Sequence, residues 1–147
     1  MSGTVHLHRV IMAPPERVFR ALVNPEAMAK WTPPHGFVGK VHEIDVRVGG
    51  GYKMSFTNLT TEQSHSFHGE YIEIKPNELL RYIDRFDDPK MPGDMMMTVS
   101  LRKVMGGTEL KITQEGIPDM IPVEMCYVGW QQSLNLLIQL VEPEIKE

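Results

Sequence analysis

From Pro122 to Glu142 the chain reads PVEMCYVGWQQSLNLLIQLVE, and its apolar residues return every three or four positions. Val123, Cys126, Tyr127, Trp130, Leu134, Leu137 and Val141 therefore share one face of a helix. Pro122 suits the first turn, where its missing N–H costs nothing, and Pro143 ends the run. About nineteen residues at 1.5 Å rise make a rod of roughly 28 Å. Such a rod needs a surface to lie on, and the rest of the chain supplies strands.

Val5 to Met12 reads as a first strand, broken by Ala13-Pro14-Pro15. A short helix is expected from Pro15, with Val18, Phe19, Leu22 and Val23 as its buried stripe, and a second over Glu26 to Trp31. Pro33-Pro34-His35-Gly36 closes the helical region. Strands follow at Phe37–Val48, Tyr52–Asn58, Ser66–Ile74, Leu79–Phe86, Met95–Val104 and Thr108–Gln114, separated by Gly-, Pro- and Asn-containing turns. Ile44, Val46 and Val48 alternate with Glu43, Asp45 and Arg47, as a half-buried strand should. Tyr52, Met54 and Phe56 share a face, as do Leu80, Tyr82 and Phe86, and Leu110 with Ile112. The pattern predicts an α+β chain, with a curved antiparallel sheet of six to seven strands around the C-terminal helix. Any functional cavity should lie between the two.

Composition narrows the function more than the fold. A chain of 147 residues with no repeat or linker reads as one domain, residues 1–147. Net charge is −4 and no basic run appears, so nucleic acid is not the expected partner. No secretory start or membrane-length apolar run is present, which makes the expected location cytoplasmic without membrane insertion. The single cysteine, Cys126, lies on the apolar helix face and reads as a small hydrophobe rather than a nucleophile. Eleven methionines suit either an adaptable cavity wall or a Met-rich core.

Several motifs occur in a characteristic order: Ala13-Pro14-Pro15-Glu16-Arg17-Val18-Phe19-Arg20-Ala21-Leu22 with Asn24-Pro25-Glu26 and Trp31, then Asp45-Val46-Arg47-Val48-Gly49-Gly50. Gly69-Glu70-Tyr71-Ile72-Glu73-Ile74 with Pro76 and Leu79-Leu80 comes next, then Gly106-Gly107-Thr108-Glu109-Leu110, then Gly129-Trp130 with Leu134 and Leu137. Together they resemble the SRPBCC (START-like, Bet v allergen-like) superfamily, in the branch similar to the C-terminal domain of the activator of the heat-shock-protein-90 ATPase. The resemblance implies a helix-grip fold with an apolar cavity between sheet and helix. Its members include lipid carriers, hormone receptors, polyketide cyclases and cochaperone domains, so the fold does not select an activity.

Positions expected to wall such a cavity are Trp31, Phe37, Met54, Phe56, Tyr82, Phe86, Met95, Met97, Cys126 and Trp130, with His35 at its rim. The same residues serve equally as core filling, and a bulge in any strand would swap its faces. His68 with Glu70 is the one acid–base pairing the strands offer, but exposed strand positions explain both. Asp84, Arg85, Asp87 and Asp88 read as a cavity entrance or a solvated turn. No metal-ligand spacing, nucleophile elbow or phosphate loop occurs, so no metal, cofactor or catalytic residue is assigned. Gly129 within the long helix costs about 1 kcal/mol against alanine, which close approach to the sheet or room beside a ligand would offset.

The leading expectation is a protein, monomeric or weakly dimeric, that binds an apolar or lipid-like small molecule. The alternatives are an interaction module for a heat-shock-protein-90 chaperone, and a cyclase- or hydrolase-type enzyme using a pocket histidine.

Overall fold

A computed structural model describes residues 3–147; Met1 and Ser2, the first residues of the N-terminal segment read above, lie outside the described residues. In chain order the elements are β1 (Gly3–Ile11), α1 (Pro15–Val23), α2 (Pro25–Trp31), β2 (Phe37–Ile44), β3 (Gly51–Asn58), β4 (Ser64–Lys75), β5 (Leu79–Phe86), β6 (Met95–Val104), β7 (Gly107–Ile117) and α3 (Val123–Val141). The seven strands form one curved antiparallel sheet in the order β1-β7-β6-β5-β4-β3-β2. From β2 to β7 it is a simple meander, and β1 closes beside β7. The two short helices carry the chain from one sheet edge to the other. This is the helix-grip arrangement.

Local chemistry places the helices. Asn24 caps α2 through its side-chain oxygen, which accepts from the Ala27 N–H at 2.9 Å, while Pro25 occupies the first helical position. Gly39 in β2 lets α2 lie on the strand: a Cβ there would meet the Ala29 carbonyl oxygen at 2.7 Å. The C-terminal half of α3 is anchored, with Leu134, Leu137 and Val141 buried. The Arg17 Nε of α1 donates to the Val141 carbonyl at 2.6 Å, satisfying an end-of-helix acceptor. Ser133 donates to the Thr32 carbonyl at 2.8 Å, tying α3 to the end of α2.

The expected strand at Phe37–Val48 is shorter than its alternation suggests. A bulge between Val41 and Glu43 shifts the pairing of β2 with β3. Beyond Ile44 the chain leaves the ladder, and Gly49 and Gly50 instead exchange backbone bonds with Tyr71 of β4. Val46 and Val48, read as inward, are consequently 41% and 60% exposed. β5 and β6 have the expected bounds, and β1, β4 and β7 differ from expectation at their ends.

Most buried side chains form one cluster between the sheet, α1, α2 and the C-terminal half of α3. A smaller cluster, Val5, Met95 and Ile117, packs beneath the start of α3, with Leu7 and Trp130 bordering both. Between sheet and helix the packing is incomplete.

Candidate functional site

The incomplete packing is a cavity of about 370 Å³, partly open to solvent. Its floor is the inner face of the sheet and its roof is the first half of α3, with Leu22, Met28 and Trp31 at the side of α1 and α2. The volume lies in the range of small-molecule pockets, roughly 300–1,000 Å³. Strand alternation builds the floor. Tyr52, Met54 and Phe56 of β3, Phe67 and Tyr71 of β4, and Tyr82, Asp84 and Phe86 of β5 all line it. Met95, Met97 and Val99 of β6 and Ile112 and Gln114 of β7 continue the surface.

Of the residues expected here, Trp31, Met54, Phe56, Tyr82 and Phe86 line the cavity, and so do Met95, Met97, Cys126 and Trp130. His35 and Phe37 do not. His35 is exposed, and its backbone N–H donates to the Gln132 side chain at 3.1 Å. Phe37 pairs with Asn58 at the open end of β2, away from the lining. The His68–Glu70 pairing does not form either: the His68 ring bonds Asp87 at 2.6 Å. His65, three residues earlier on β4, is the histidine that lines the cavity, at an exposed position opposite Phe56.

The helix roof is underfilled. Val123, Cys126, Tyr127 and Trp130 are only half-buried, in contrast to Leu134, Leu137 and Val141 farther along the same stripe. Gly129 lines the cavity, and a Cβ built on it would have no neighbour within 4 Å. Of the two reasons for a glycine at this position, close approach is thus excluded and free space remains. Burial pushes the Cys126 thiol upward, keeping it protonated as a soft wall rather than a nucleophile. The Trp130 indole N–H donates to Gln114 Oε1 at 2.8 Å, and Gln114 Nε2 donates to the Met95 sulfur at 3.4 Å. The Trp31 indole is likewise satisfied, by the Ala21 carbonyl at 2.7 Å. These polar groups are occupied by the protein itself.

Asp84 and Tyr71 are different. Tyr52, Gly69, Asp84 and Met95 stand in one row across β3 to β6. The Tyr52 ring crosses Gly69 and donates its hydroxyl to Asp84 Oδ1 at 2.7 Å. A Cβ on Gly69 would lie 2.3 Å from the Tyr52 ring, so the glycine is what lets this bond form. Burial pushes the Asp84 carboxyl up to about 6, against smaller downward pulls from the Tyr52 hydrogen bond and from His68. Asp84 is half-buried by surface, because the side chain faces the cavity rather than packed atoms. Beside it the rings of Tyr52, Tyr71 and Tyr82 pack on one another in a near-equilateral triangle, with centroids 5.9, 6.0 and 6.1 Å apart. Phe67 packs edge-on against Tyr52 at 6.3 Å and against Phe56 at 4.9 Å. The Tyr71 hydroxyl is buried with no hydrogen-bond partner among the described residues, and burial pushes it up to about 12. Burial also raises Tyr52 and Tyr82, helped by the Asp84 charge.

Alternation carried a usable signal for Asp84. Leu80, Tyr82 and Phe86 share the inner face, and Asp84 falls between the last two on that face. Its acidic neighbours Asp87 and Asp88 are what make the segment read as a cavity entrance or a solvated turn. Tyr52 shares its face with Met54 and Phe56 in the alternation, whereas Tyr71 stands out in the sequence only as part of a motif.

Among the described residues, no helix is long and apolar enough to cross a membrane. The chain is 57% identical to protein CV1439 from Chromobacterium violaceum, with 96% of this chain and 98% of that one covered and a TM-score of 0.94. A protein from Rhizobium leguminosarum is 25% identical, over 98% and 97% of the two chains, with a TM-score of 0.80. The AHSA1-like protein from Aeromonas hydrophila, at 17% identity, shares the fold with a TM-score of 0.77, over 99% and 100% of the two chains. A search of curated proteins gives no match. Residues 12–142, which hold all three helices and strands β2 to β7 but not β1, match the family described as Activator of Hsp90 ATPase homolog 1-like protein, and the chain belongs to that family.

Proposed function

We propose that this protein binds a small, mainly apolar molecule between the inner face of the sheet and the first half of α3. The observation that carries this reading is the underfilled roof. A helix stripe that is fully buried at Leu134, Leu137 and Val141 becomes half-buried at Cys126 and Trp130, over a 370 Å³ space walled by aromatic and methionine side chains. Apolar area left facing such a space is stabilised when a guest removes it from water, by about 25 cal/mol per Å². Free space at Gly129 supports the same reading, since the helix gives up about 1 kcal/mol of propensity there.

The test is displacement of an environment-sensitive apolar dye by a panel of fatty acids, lysolipids, aromatic polyketides and amphiphilic amines. At least one class should displace it saturably, and Gly129→Leu, which fills the space, should weaken that class at least tenfold. Dye binding that Gly129→Leu leaves unchanged would put the dye elsewhere and contradict the reading.

A second reading follows from the family's name: contact with a heat-shock-protein-90 chaperone. Stimulation of a bacterial homologue's ATPase that survives Gly129→Leu in a folded protein would favour a surface mechanism over the cavity.

A further inference from the structure

We propose that the guest of this cavity carries a protonated amine, seated against the Asp84 carboxylate beside the rings of Tyr52, Tyr71 and Tyr82, with its apolar body beneath α3. This rests on the reading of the cavity as a binding site and names the chemical class that the site takes.

The first observation is a carboxylate without a counter-cation. Among the described residues no lysine or arginine lines the cavity, and the one histidine that does, His65, stands at an exposed position on β4 opposite Phe56. The cations nearest in the sheet are committed to carboxylates outside the lining. Arg85 pairs with Asp94 at 2.5 Å, Lys53 with Glu43 at 3.7 Å, and the His68 ring with Asp87 at 2.6 Å. A charge left alone among apolar walls is costly, and protein interiors normally supply a partner. Here the space beside it is open.

Geometry then limits the partner. Among the described residues, the one donor to the Asp84 side chain is the Tyr52 hydroxyl, on Oδ1. The other oxygen still has acceptor capacity facing the cavity. An ammonium brings three N–H donors and no acceptor, which suits a site whose free groups are oxygens. Tyr71, whose buried hydroxyl has no partner among the described residues, lines the same space. Tyr52, Tyr71 and Tyr82 line the space beside the carboxylate, and a tyrosine ring face offers an ammonium cation–π attraction that neither an alcohol nor a carboxylate can use. A fatty-acid head would instead meet a like charge, with no lysine or arginine among the described lining residues to offset it. The raised carboxyl supports this: at about 6 it is still mostly ionised near neutrality, and an incoming cation would draw it down.

The experiment compares isosteres by calorimetry at pH 7.5. Octylamine, 1-octanol and octanoate form one set, and 2-naphthylmethylamine, 2-naphthylmethanol and 2-naphthoate the other. In at least one set the amine should bind about tenfold or more tighter than the alcohol, with the carboxylate weakest. In Asp84→Asn the amine's advantage should shrink to about twofold or less. As a check that needs no variant, the Asp84 carboxyl carbon is titrated by NMR with and without the amine. Its midpoint should fall by about one pH unit or more when the amine is bound. An alcohol or carboxylate that binds as tightly as its amine overturns this inference and leaves the cavity reading intact. An unmoved Asp84 midpoint, or an amine preference that persists in Asp84→Asn, overturns the assignment to Asp84. No binding by any member of either set overturns the cavity reading and this inference together.

Discussion

Asp84 is the residue at which chemistry and fold meet. Its carboxyl is raised from 3.8 to about 6 by burial, so the unfolded chain releases its proton first as pH rises. A raised group contributes stability that is fully present below the unfolded value and lost as pH climbs through the folded one. The empty protein should therefore lose up to ~3 kcal/mol from this group between about pH 4 and pH 7. Asp87, Asp94 and Glu109 run the other way: hydrogen bonds and nearby cations lower them, and their contributions fade in acid. The difference between wild type and Asp84→Asn isolates the one group. Urea melts should show Asp84→Asn gaining on wild type by ~2–3 kcal/mol from pH 4 to pH 7.5. A difference that stays flat with pH would mean that Asp84 is well solvated.

Residue-level reading of the sequence succeeded where alternation was uninterrupted and failed where composition overrode it. Met54, Phe56, Tyr82, Met95 and Met97 face the cavity because each strand keeps its period through them. Asp84 keeps the same period, but a carboxylate on an inner face contradicts the usual sorting of charge to solvent. Only coordinates reveal that Tyr52 reaches across Gly69 to hold it.

At the scale of elements, α3 divides into an anchor and a roof. The anchor half is closed by Leu134, Leu137 and Val141 and tied to α1 and α2 through Arg17 and Thr32. The roof half rests on the small Val5, Met95 and Ile117 cluster, with the Tyr127 hydroxyl accepting from the His6 N–H at 3.2 Å and Trp130 bound to Gln114. Gly129 sits in this half with open space where a side chain would go. Gly129→Ala should therefore stabilise the empty protein by about 1 kcal/mol, through helix propensity alone. That is a rise of ~2–4 °C in Tm for a chain of this size, while guest affinity falls. A destabilised Gly129→Ala would show that the backbone needs the glycine for packing.

Elements were the most legible part of the fold. The periodicity of α3, the paired prolines around α1 and α2, and the turn residues between strands are local signals with local causes. The end of β2 was not legible. Val46 and Val48 alternate correctly, but the bulge after Val41 and the bonding of Gly49 and Gly50 to Tyr71 are decided by partners distant in sequence.

At the scale of the molecule, the order of strands and helices indicates a sheet wrapped on a rod, but not how tightly the two close. That depends on side-chain volumes summed over five strands and a helix, and on a glycine whose effect is an absence of contact. A cavity of 370 Å³ corresponds to a modest deficit in that sum. A guest that binds only the folded state stabilises it by RT ln(1 + [L]/Kd), about 2.7 kcal/mol at a hundredfold excess over Kd. The Asp84 penalty is of similar size and the propensity given up at Gly129 is smaller, so occupancy can offset either one.

The methionines supply the most direct measurement. Met54, Met95 and Met97 line the cavity, whereas Met12, Met105, Met120 and Met125 are exposed. With the methionine methyls labelled with carbon-13, a titration with octylamine and 2-naphthylmethylamine reads both groups in one spectrum. Saturable shifts at Met54, Met95 and Met97, with the four exposed methyls unmoved, are the predicted result. Shifts confined to the exposed methyls, or no saturable shift at any of the seven, would contradict a binding cavity beneath α3.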